Sequence, residues 1–309
     1  MDGQVWTTEF FARAFLENRD KSIIERIALG MKAAAGHQDI LFSEKSMLPG
    51  VQTFARDSSF GYRYADCVMT DRDRRQAILE AHPEQEAELR AIWEEMEPFL
   101  TQKQVVEAMT PHDRRLTELM ACWGGDWGGH SNPDYDRLLH LGTNGIRALI
   151  EECRALNPGK DGFYDACSNA MDALDILGRR TRELALERAR TEADAEKKSE
   201  WLRIAGDFLR IPMEPAWDMH SATLFMWMYF TQDFIDSPGR FDQFMIDFYR
   251  ASDPKQRDEM LVRFLEAMHE VRGWNVCLSG SDENWNDETN ELTYAMLERW
   301  RRWAIRRPT

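Results

Sequence analysis

The segment WNVCLSGSDENWNDETNELTY, from Trp274 to Tyr294, combines one thiol with a dense run of Asp, Asn and Glu. Such a run could bind calcium, the thiol could act as a nucleophile, or the segment could form a turn between two buried elements. A calcium loop starting at Asp282 would have Asn at its third and fifth positions. It lacks the glycine needed at the sixth position and the glutamate needed at the twelfth, so the EF-hand interpretation fails.

The interpretation that remains for this segment is a strand, WNVCLS, a turn at Gly280 and a helix. The helix would have Asp287 or Thr289 near its N-cap, where a side-chain oxygen can accept a free backbone N–H. Its buried stripe would contain the apolar residues Leu292, Met296, Trp300 and Trp303. No basic residue adjoins Cys277 to activate its thiol, so we expect Cys277 to be a small apolar filler of a buried strand.

Two other segments combine histidine with residues suited to ligand contact. The loop CWGGDWGGH, ending at His130, has four glycines but neither the G-K-[S/T] of a P-loop nor a preceding β-branched strand. Either its tryptophans pack inward or its backbone approaches a ligand, with His130 as a hydrogen-bond donor. His220 and Ser221 begin a nearly all-apolar helix, where they could contact substrate or serve as a buried histidine and a helix cap.

Metal sites are not predicted. The five cysteines are widely spaced, odd in number and free of C-x-x-C pairs, which is typical of reduced thiols. Asp161, Asp165 and Asp172 share one helical segment, but no E-x-x-H motif accompanies them, so a di-metal bundle is not expected.

Composition restricts the class of protein. The 309 residues are 43% hydrophobic, enough to form a substantial core. The formal charge of −15 argues against a nucleic-acid partner. No apolar run is long enough to span a membrane and no signal peptide follows Met1, so a cytoplasmic protein is expected.

Most of the chain has the periodicity of helices. Helices are predicted at Glu9–Glu17, Ser22–Ala35, Arg72–Glu80, Glu84–Phe99, Thr101–Glu107, Pro111–Met120, Pro133–Leu156, Gly162–Ala189, Ala193–Leu209, Trp217–Phe230, Arg240–Tyr249, Pro254–Val271 and Asp287–Ile305. The strand candidates are WNVCLS and, more weakly, FGYRYA near Phe60. A shift in composition near Pro111 predicts an N-terminal helical region, residues 1–110, and a second region, residues 111–309.

Four segments occur in an order that resembles the glycyl radical enzymes, the pyruvate formate-lyase-like lyases and dehydratases. They are GGHSNPDYDRLLHLGTNGI (128–146), GKDGFYDACSNAMDAL (159–174), DSPGRFDQFM (236–245) and SGSDENWNDETNELTYAMLE (279–298). The resemblance covers about residues 121–309 and implies the first part of a ten-stranded α/β barrel wrapped by helices. The predicted fold is therefore α/β and predominantly helical, with residues 111–309 as a half-barrel region.

The resemblance also shows what the sequence lacks. Family members are more than twice as long and carry a cysteine finger loop and a C-terminal R-V-x-G-[FY]-like motif whose glycine holds the radical. Neither the G-C-x-E nor the R-V-x-G pattern occurs in this sequence. Cys277 lies too early to be the finger-loop thiol, so no catalytic residue is carried over.

Substrate-pocket positions are carried over from the family. His130 matches a position near the substrate hydroxyl in family dehydratases, with Trp127 and Asp126 beside it. His220 and Ser221 match a segment that begins with an F-[H/Y]-E-A pattern in the family, although Met219 and Ser221 replace two of its residues. The positions at the end of the predicted barrel strand, where pockets form, are Asn275, Ser279, Ser281 and Asn286.

The expected function is the N-terminal portion or subunit of a glycyl radical lyase or dehydratase. It would cleave C–C, C–O, C–N or C–S bonds only with a complementary chain carrying the Cys and Gly motifs. The chain would bind no cofactor itself, and an S-adenosylmethionine-dependent iron–sulfur activase would install the glycyl radical, in anaerobic metabolism. The alternatives are a non-catalytic binding or regulatory scaffold and an acidic helical interaction protein. Half a barrel leaves an uncovered apolar face, so we expect a complementary partner or self-association.

Overall fold

The computed structural model describes residues 2–38, 40–43, 45–51, 75–76, 79–80, 82–99, 107–119, 132–233, 237–270 and 275–306. Helices dominate these ranges. They are α1 (Asp2–Glu17), α2 (Ile23–His37), α3 (Glu86–Met96), α4 (Pro111–Glu118), α5 (Tyr135–Leu156), α6 (Asp161–Thr191), α7 (Ala195–Asp207), α8 (Met219–Asp233), α9 (Phe241–Ala251), α10 (Pro254–Glu270) and α11 (Glu291–Arg306). Short 3-10 turns, Pro83–Gln85 and Glu97–Phe99, flank α3.

Helix starts follow the capping signals of the sequence. Ser22 and Glu25 form a reciprocal capping box at α2, and Thr110 and Asp113 form another at α4. The cap of α11 differs from the prediction, because Asn290 accepts the backbone N–H groups of Leu292 and Thr293. Asp287 and Thr289 instead bond to each other one turn earlier.

The helix α8 lies at the centre of the main hydrophobic core. Its residues Met219, Ala222, Leu224, Phe225 and Met226 are fully buried. The surrounding side chains come from helices that precede and follow α8 in sequence: Leu139, Leu177, Ile204, Phe241, Phe264 and Leu292. A helix that is apolar on all sides is stable in water only when other elements cover it, as they do for α8.

The long helix α5 is broken at Gly142, which has φ +63°. The loop that precedes α8 fills the break, because the N–H of Thr143 donates to the carbonyl of Pro212 at 2.8 Å and the N–H of Asn144 donates to that of Met213 at 3.1 Å. A Cβ at position 142 would lie 2.6 Å from the backbone of Glu214. Glycine is therefore required here by both conformation and space.

A second core joins α1, α2 and α3 through Phe11 and Phe15 of α1, Ala34 of α2, and Leu89 and Trp93 of α3. The main core nevertheless includes residues from the N-terminal side of the predicted boundary near Pro111, namely Ala35, Met47 and Leu48. Contacts therefore cross that boundary, and the division into two regions stays a prediction.

Two strands that the sequence did not predict, β1 (Ile40–Phe42) and β2 (Pro49–Val51), pair antiparallel. Each has only three residues, too short for a periodic pattern. The candidate FGYRYA near Phe60 and the helix Thr101–Glu107 lie outside the described residues, apart from Glu107. Of the strand WNVCLS, the described residues 275–279 form a single parallel bridge, between Cys277 and Arg240.

Two burial predictions for the 274–303 region were wrong. Cys277 is exposed, because no described element covers its face of the 275–279 segment. Trp300 is 53% exposed, whereas Leu292 and Met296 of the same predicted stripe are buried as expected. Among the described residues, no helix combines the length and apolar character needed to cross a membrane.

Candidate functional site

The segment 275–290 is held against the start of α9. The N–H of Cys277 donates to the carbonyl of Gly239 at 3.0 Å, and the N–H of Phe241 donates to the carbonyl of Cys277 at 3.1 Å. These bonds align the two segments in parallel. Four predicted pocket residues, Asn275, Ser279, Ser281 and Asn286, therefore lie on a segment anchored at one end by backbone pairing.

Asp242 connects this segment to both flanking helices. It is fully buried, and its Oδ2 accepts the N–H of Ser279 at 2.8 Å and the hydroxyl of Thr293. Its other oxygen, Oδ1, is buried and has no hydrogen-bond partner among the described residues. The amide of Asn290 donates to the carbonyl of Asp242 at 3.2 Å. One carboxylate thus fixes the end of the strand-like segment relative to the start of α11.

Arg240 forms a second connection. Its Nε donates to the carbonyl of Ser279 at 2.9 Å, and its guanidinium forms an ion pair with Glu288. Ser279 itself has φ +62°, and its hydroxyl lies 2.6 Å from that of Thr289. A non-glycine residue with positive φ persists only when its surroundings determine the conformation, and these contacts do so.

The acidic run forms a closed turn. Oδ1 of Asp282 accepts the backbone N–H groups of Asn284 and Asn286, and its Oδ2 accepts the side-chain amide of Asn286 at 2.8 Å. An antiparallel bridge joins Ser281 to Asp287. Ser281 and Asn286 are both exposed, although the Asn286 side chain is already bonded within the turn.

His220 lies in a charged cluster away from that turn. Its Nδ1 is 2.5 Å from Asp207 Oδ2 and its Nε2 is 2.8 Å from Glu200 Oε1. Burial alone would lower the pKa of His220, but these two carboxylates raise it. Burial would likewise raise the pKa of Glu200, yet hydrogen bonds and attraction from His220 and Arg263 lower it to about 2.

Ser221 belongs to a reciprocal cap at the start of α8, in which Asp218 is the N-cap residue. Asp218 precedes α8 and accepts the N–H of Ser221 at 2.8 Å, while Oγ of Ser221 accepts the N–H of Asp218 at 3.2 Å. The second Asp218 oxygen accepts the side chain of Gln256 at 2.8 Å. Both His220 and Ser221 are fully buried with protein partners, as the interpretation as a buried histidine and a helix cap predicts.

The helical aspartates form ion pairs. Arg154 pairs with Asp161 and Asp165, and Asp172 lies between Lys32 and Arg147 at 2.6 Å from each. Among the residues that the structure describes, no group of three or more His, Cys, Asp or Glu is arranged to hold a metal ion.

An apolar groove lies beside the 275–279 segment. Its volume is about 640 Å³, and it is bounded by Leu265, Met268 and His269 of α10, by Asn275, Val276 and Leu278, and by Met296, Leu297, Trp300 and Trp303 of α11. Of the predicted pocket residues that the structure describes, only Asn275 lines it. We call this feature the α10–α11 groove.

The structure brings the predicted residues together only in part. The loop residues share one segment, whereas the hydrogen-bond partners of His220 come from α7 and those of Ser221 are residues 217–218. His130, Trp127 and Asp126 lie outside the described residues. The sequence reasoning missed Asp242 and Arg240, although both lie in the segment DSPGRFDQFM that supported the resemblance.

Comparisons with known proteins identify the family. The family "Pyruvate formate lyase-like" matches residues 7–309. Isethionate sulfite-lyase of Bilophila wadsworthia is 27% identical over an alignment of 215 positions, which covers 57% of this chain and 26% of that protein. The chain therefore aligns with about a quarter of the length of its curated relatives.

Solved structures share the fold. The glycerol-bound B12-independent glycerol dehydratase from Clostridium butyricum matches with a TM-score of 0.76 and 18% identity, over 97% of this chain and 43% of that one. A glycyl radical enzyme from Archaeoglobus fulgidus matches with a TM-score of 0.69 and 21% identity, over 98% and 45%. The α/β, mostly helical fold is thus that of part of a glycyl radical enzyme barrel. Since the family match spans nearly the whole sequence, the chain belongs to the pyruvate formate lyase-like family.

Proposed function

We propose that this chain is the N-terminal portion or subunit of a glycyl radical lyase or dehydratase, which acts only when a complementary chain supplies the Cys and Gly motifs. The coverage carries the proposal. The chain matches 97% of its own length but only 43% of the glycerol dehydratase, and the sequence has neither motif. Radical cleavage of a C–C, C–O, C–N or C–S bond would require both.

Within such an enzyme the chain would form part of the substrate-pocket wall. Ser279, fixed by Asp242 and Arg240, would lie at the rim together with Asn275, Ser281 and Asn286. His130, with Trp127 and Asp126, would contribute a donor from the glycine-rich loop. His220 and Ser221 would stabilise the start of α8 behind the pocket. The substrate would be a small molecule, and the location cytoplasmic.

The assembled enzyme would obtain its glycyl radical from an S-adenosylmethionine-dependent iron–sulfur activase. The test is anaerobic co-expression of this chain with an activase and with a chain, encoded by a neighbouring reading frame, that carries G-C-x-E and R-V-x-G-[FY]. Electron paramagnetic resonance should show a glycyl doublet for the combined proteins and none for this chain with activase alone. No doublet and no lyase activity from the combined proteins would refute the proposal.

The alternative is a non-catalytic binding or regulatory scaffold with the same fold. Two results together would favour it: a genome with no complementary reading frame, and a purified chain that sediments as a stable monomer. An N-terminal subunit would instead remain incomplete by itself and would acquire a defined stoichiometry only with its partner.

A further inference from the structure

One edge of the 275–279 segment is paired, and no described residue pairs with the other edge, which we call the free edge. The N–H and C=O of Cys277 bond to Gly239 and Phe241. In an extended strand the backbone groups of successive residues point to opposite edges, so those of Val276 and Leu278 point away from α9. Within the described ranges, the backbone groups of Val276 and Leu278 make no hydrogen bond.

The free edge borders the α10–α11 groove. Val276 and Leu278 line the groove together with Met296, Leu297 and Trp300. Leu297 and Trp300 are each 53% exposed, so the groove has apolar surface that the described residues leave uncovered. Free backbone groups beside an apolar surface are the features that an added strand uses: hydrogen bonds for its backbone and contacts for alternate side chains.

The arrangement favours a parallel strand. The existing bridge to Arg240 is parallel, and α11 follows the 275–279 segment and packs against α9 and α10. In a crossover unit a strand is followed by a helix, and the helix packs over the next parallel strand. The 275–279 segment and α11 have this arrangement, so a further parallel strand would lie at the free edge, beneath α11.

We propose that Val276 and Leu278 form a docking edge for an extended segment of a second chain, which adds as a parallel strand and places alternate apolar side chains in the α10–α11 groove. The occupant is the complementary chain that supplies the rest of the barrel, and its identity rests on the proposed function. More than half of each matched structure lies outside the part that this chain covers, so such a chain has segments to donate. A second copy is disfavoured because each copy carries a formal charge of −15.

The test uses the full chain and a synthetic peptide that copies the segment following the counterpart of α11 in the Clostridium butyricum dehydratase. Residue-resolved hydrogen–deuterium exchange should show the Val276 and Leu278 amides slowed by roughly tenfold or more when the peptide is present. The Cys277 amide, already bonded to Gly239, should not change. A scrambled peptide of the same composition should slow neither amide.

Two variants separate backbone pairing from side-chain contact. Val276→Pro removes an N–H that makes no internal bond, so the chain should keep its Cys277 protection and lose about tenfold or more in peptide affinity. Val276→Ala keeps the N–H and should lose about threefold or less, since only part of one side chain is removed. Equal affinities of the two variants would overturn the docking edge.

Other outcomes are equally decisive. Unchanged exchange at Val276 and Leu278 with the peptide would overturn the proposal. If the Val276 and Leu278 amides become protected as the chain concentration rises without peptide, the occupant is a second copy and not the complementary chain. If Val276→Pro forms a normal glycyl radical with a complementary chain, the docking edge is refuted and the proposed function stands. If the peptide binds but the combined proteins form no radical, the proposed function is refuted and the docking edge stands.

Discussion

The Nε2 of His220 lies 2.8 Å from the Oε1 of Glu200, inside a cluster that also presents Asp207 to the Nδ1 of the same ring. A neutral imidazole has a single N–H and can donate to only one of these carboxylates. The imidazolium form satisfies both, and it places a buried cation between α7 and α8. Arg263 of α10 binds the same Glu200, so three helices share the cluster.

The first prediction concerns pH. The folded-state pKa of His220 is raised, so its contribution is fully present below the unfolded value of about 6.5 and is lost as pH rises through the folded value. The free energy of unfolding of wild type relative to His220→Gln should therefore fall above pH ~6.5, by up to about 1.4 kcal/mol per pH unit. Urea unfolding at a series of pH values measures this difference.

His140→Gln is the matched control for that experiment. His140 is exposed and contacts Asp136 and Asp247 at the surface. The variant should change the free energy of unfolding by less than about 0.5 kcal/mol. A His220→Gln difference that stays constant from pH 6 to pH 9 would contradict the buried imidazolium.

The second prediction concerns the break in α5. Gly142→Ala should cost about 2–4 kcal/mol of unfolding free energy, because the added Cβ meets the Glu214 backbone and φ is positive. Gly206→Ala is the control, since Gly206 lies in the last turn of α7 and has open space around its Cβ position. It should be neutral or stabilising by up to about 1 kcal/mol. Thermal unfolding that ranks the variants the other way would refute the clash.

The third prediction concerns Asp242. Asp242→Ala should cost about 2–4 kcal/mol, because it leaves the Ser279 N–H and the Thr293 hydroxyl without their acceptor. Asp242→Asn keeps one oxygen that can accept both bonds and should cost about half as much. Chemical denaturation measures both costs. Faster exchange of the Ser279 amide in Asp242→Ala should accompany the loss, and an unchanged rate would show that the connection lies elsewhere.

The fourth prediction concerns the exposed apolar face of α11. Trp300→Arg should lower the fluorescence of a bound hydrophobic dye by about twofold, because Trp300 lines the α10–α11 groove. Tyr294→Arg is the control on the same helix, since Tyr294 is more exposed but does not line the groove. Equal effects of the two variants would mean that general surface polarity, and not the groove, controls dye binding.

Local signals in the sequence predicted the helix starts at Ser22 and Pro111, because a capping side chain and the residues it bonds are neighbours in sequence. The turn after residue 279 and the helix α11 were also anticipated, whereas the predicted strand before them is reduced to a single bridge. The contacts of Ser279 with Asp242 and of His220 with Glu200 were not, because each joins residues at least 20 positions apart. Cys277 and Trp300 were expected to be buried because each lies in a run of apolar residues with the spacing of a buried face. The spacing within one segment does not show whether another element covers that face.

The loop that fills the break at Gly142 has a consequence for dividing the chain. The amides of Thr143 and Asn144 in α5 donate to carbonyls about 70 residues later in the chain. A fragment that stops after α6 would lack both acceptors, so the break in α5 would lose the hydrogen bonds that stabilise it. Expression of shorter versions should therefore keep α5 to α8 together. We therefore expect a stable fragment of this part of the protein to contain at least residues 132–233.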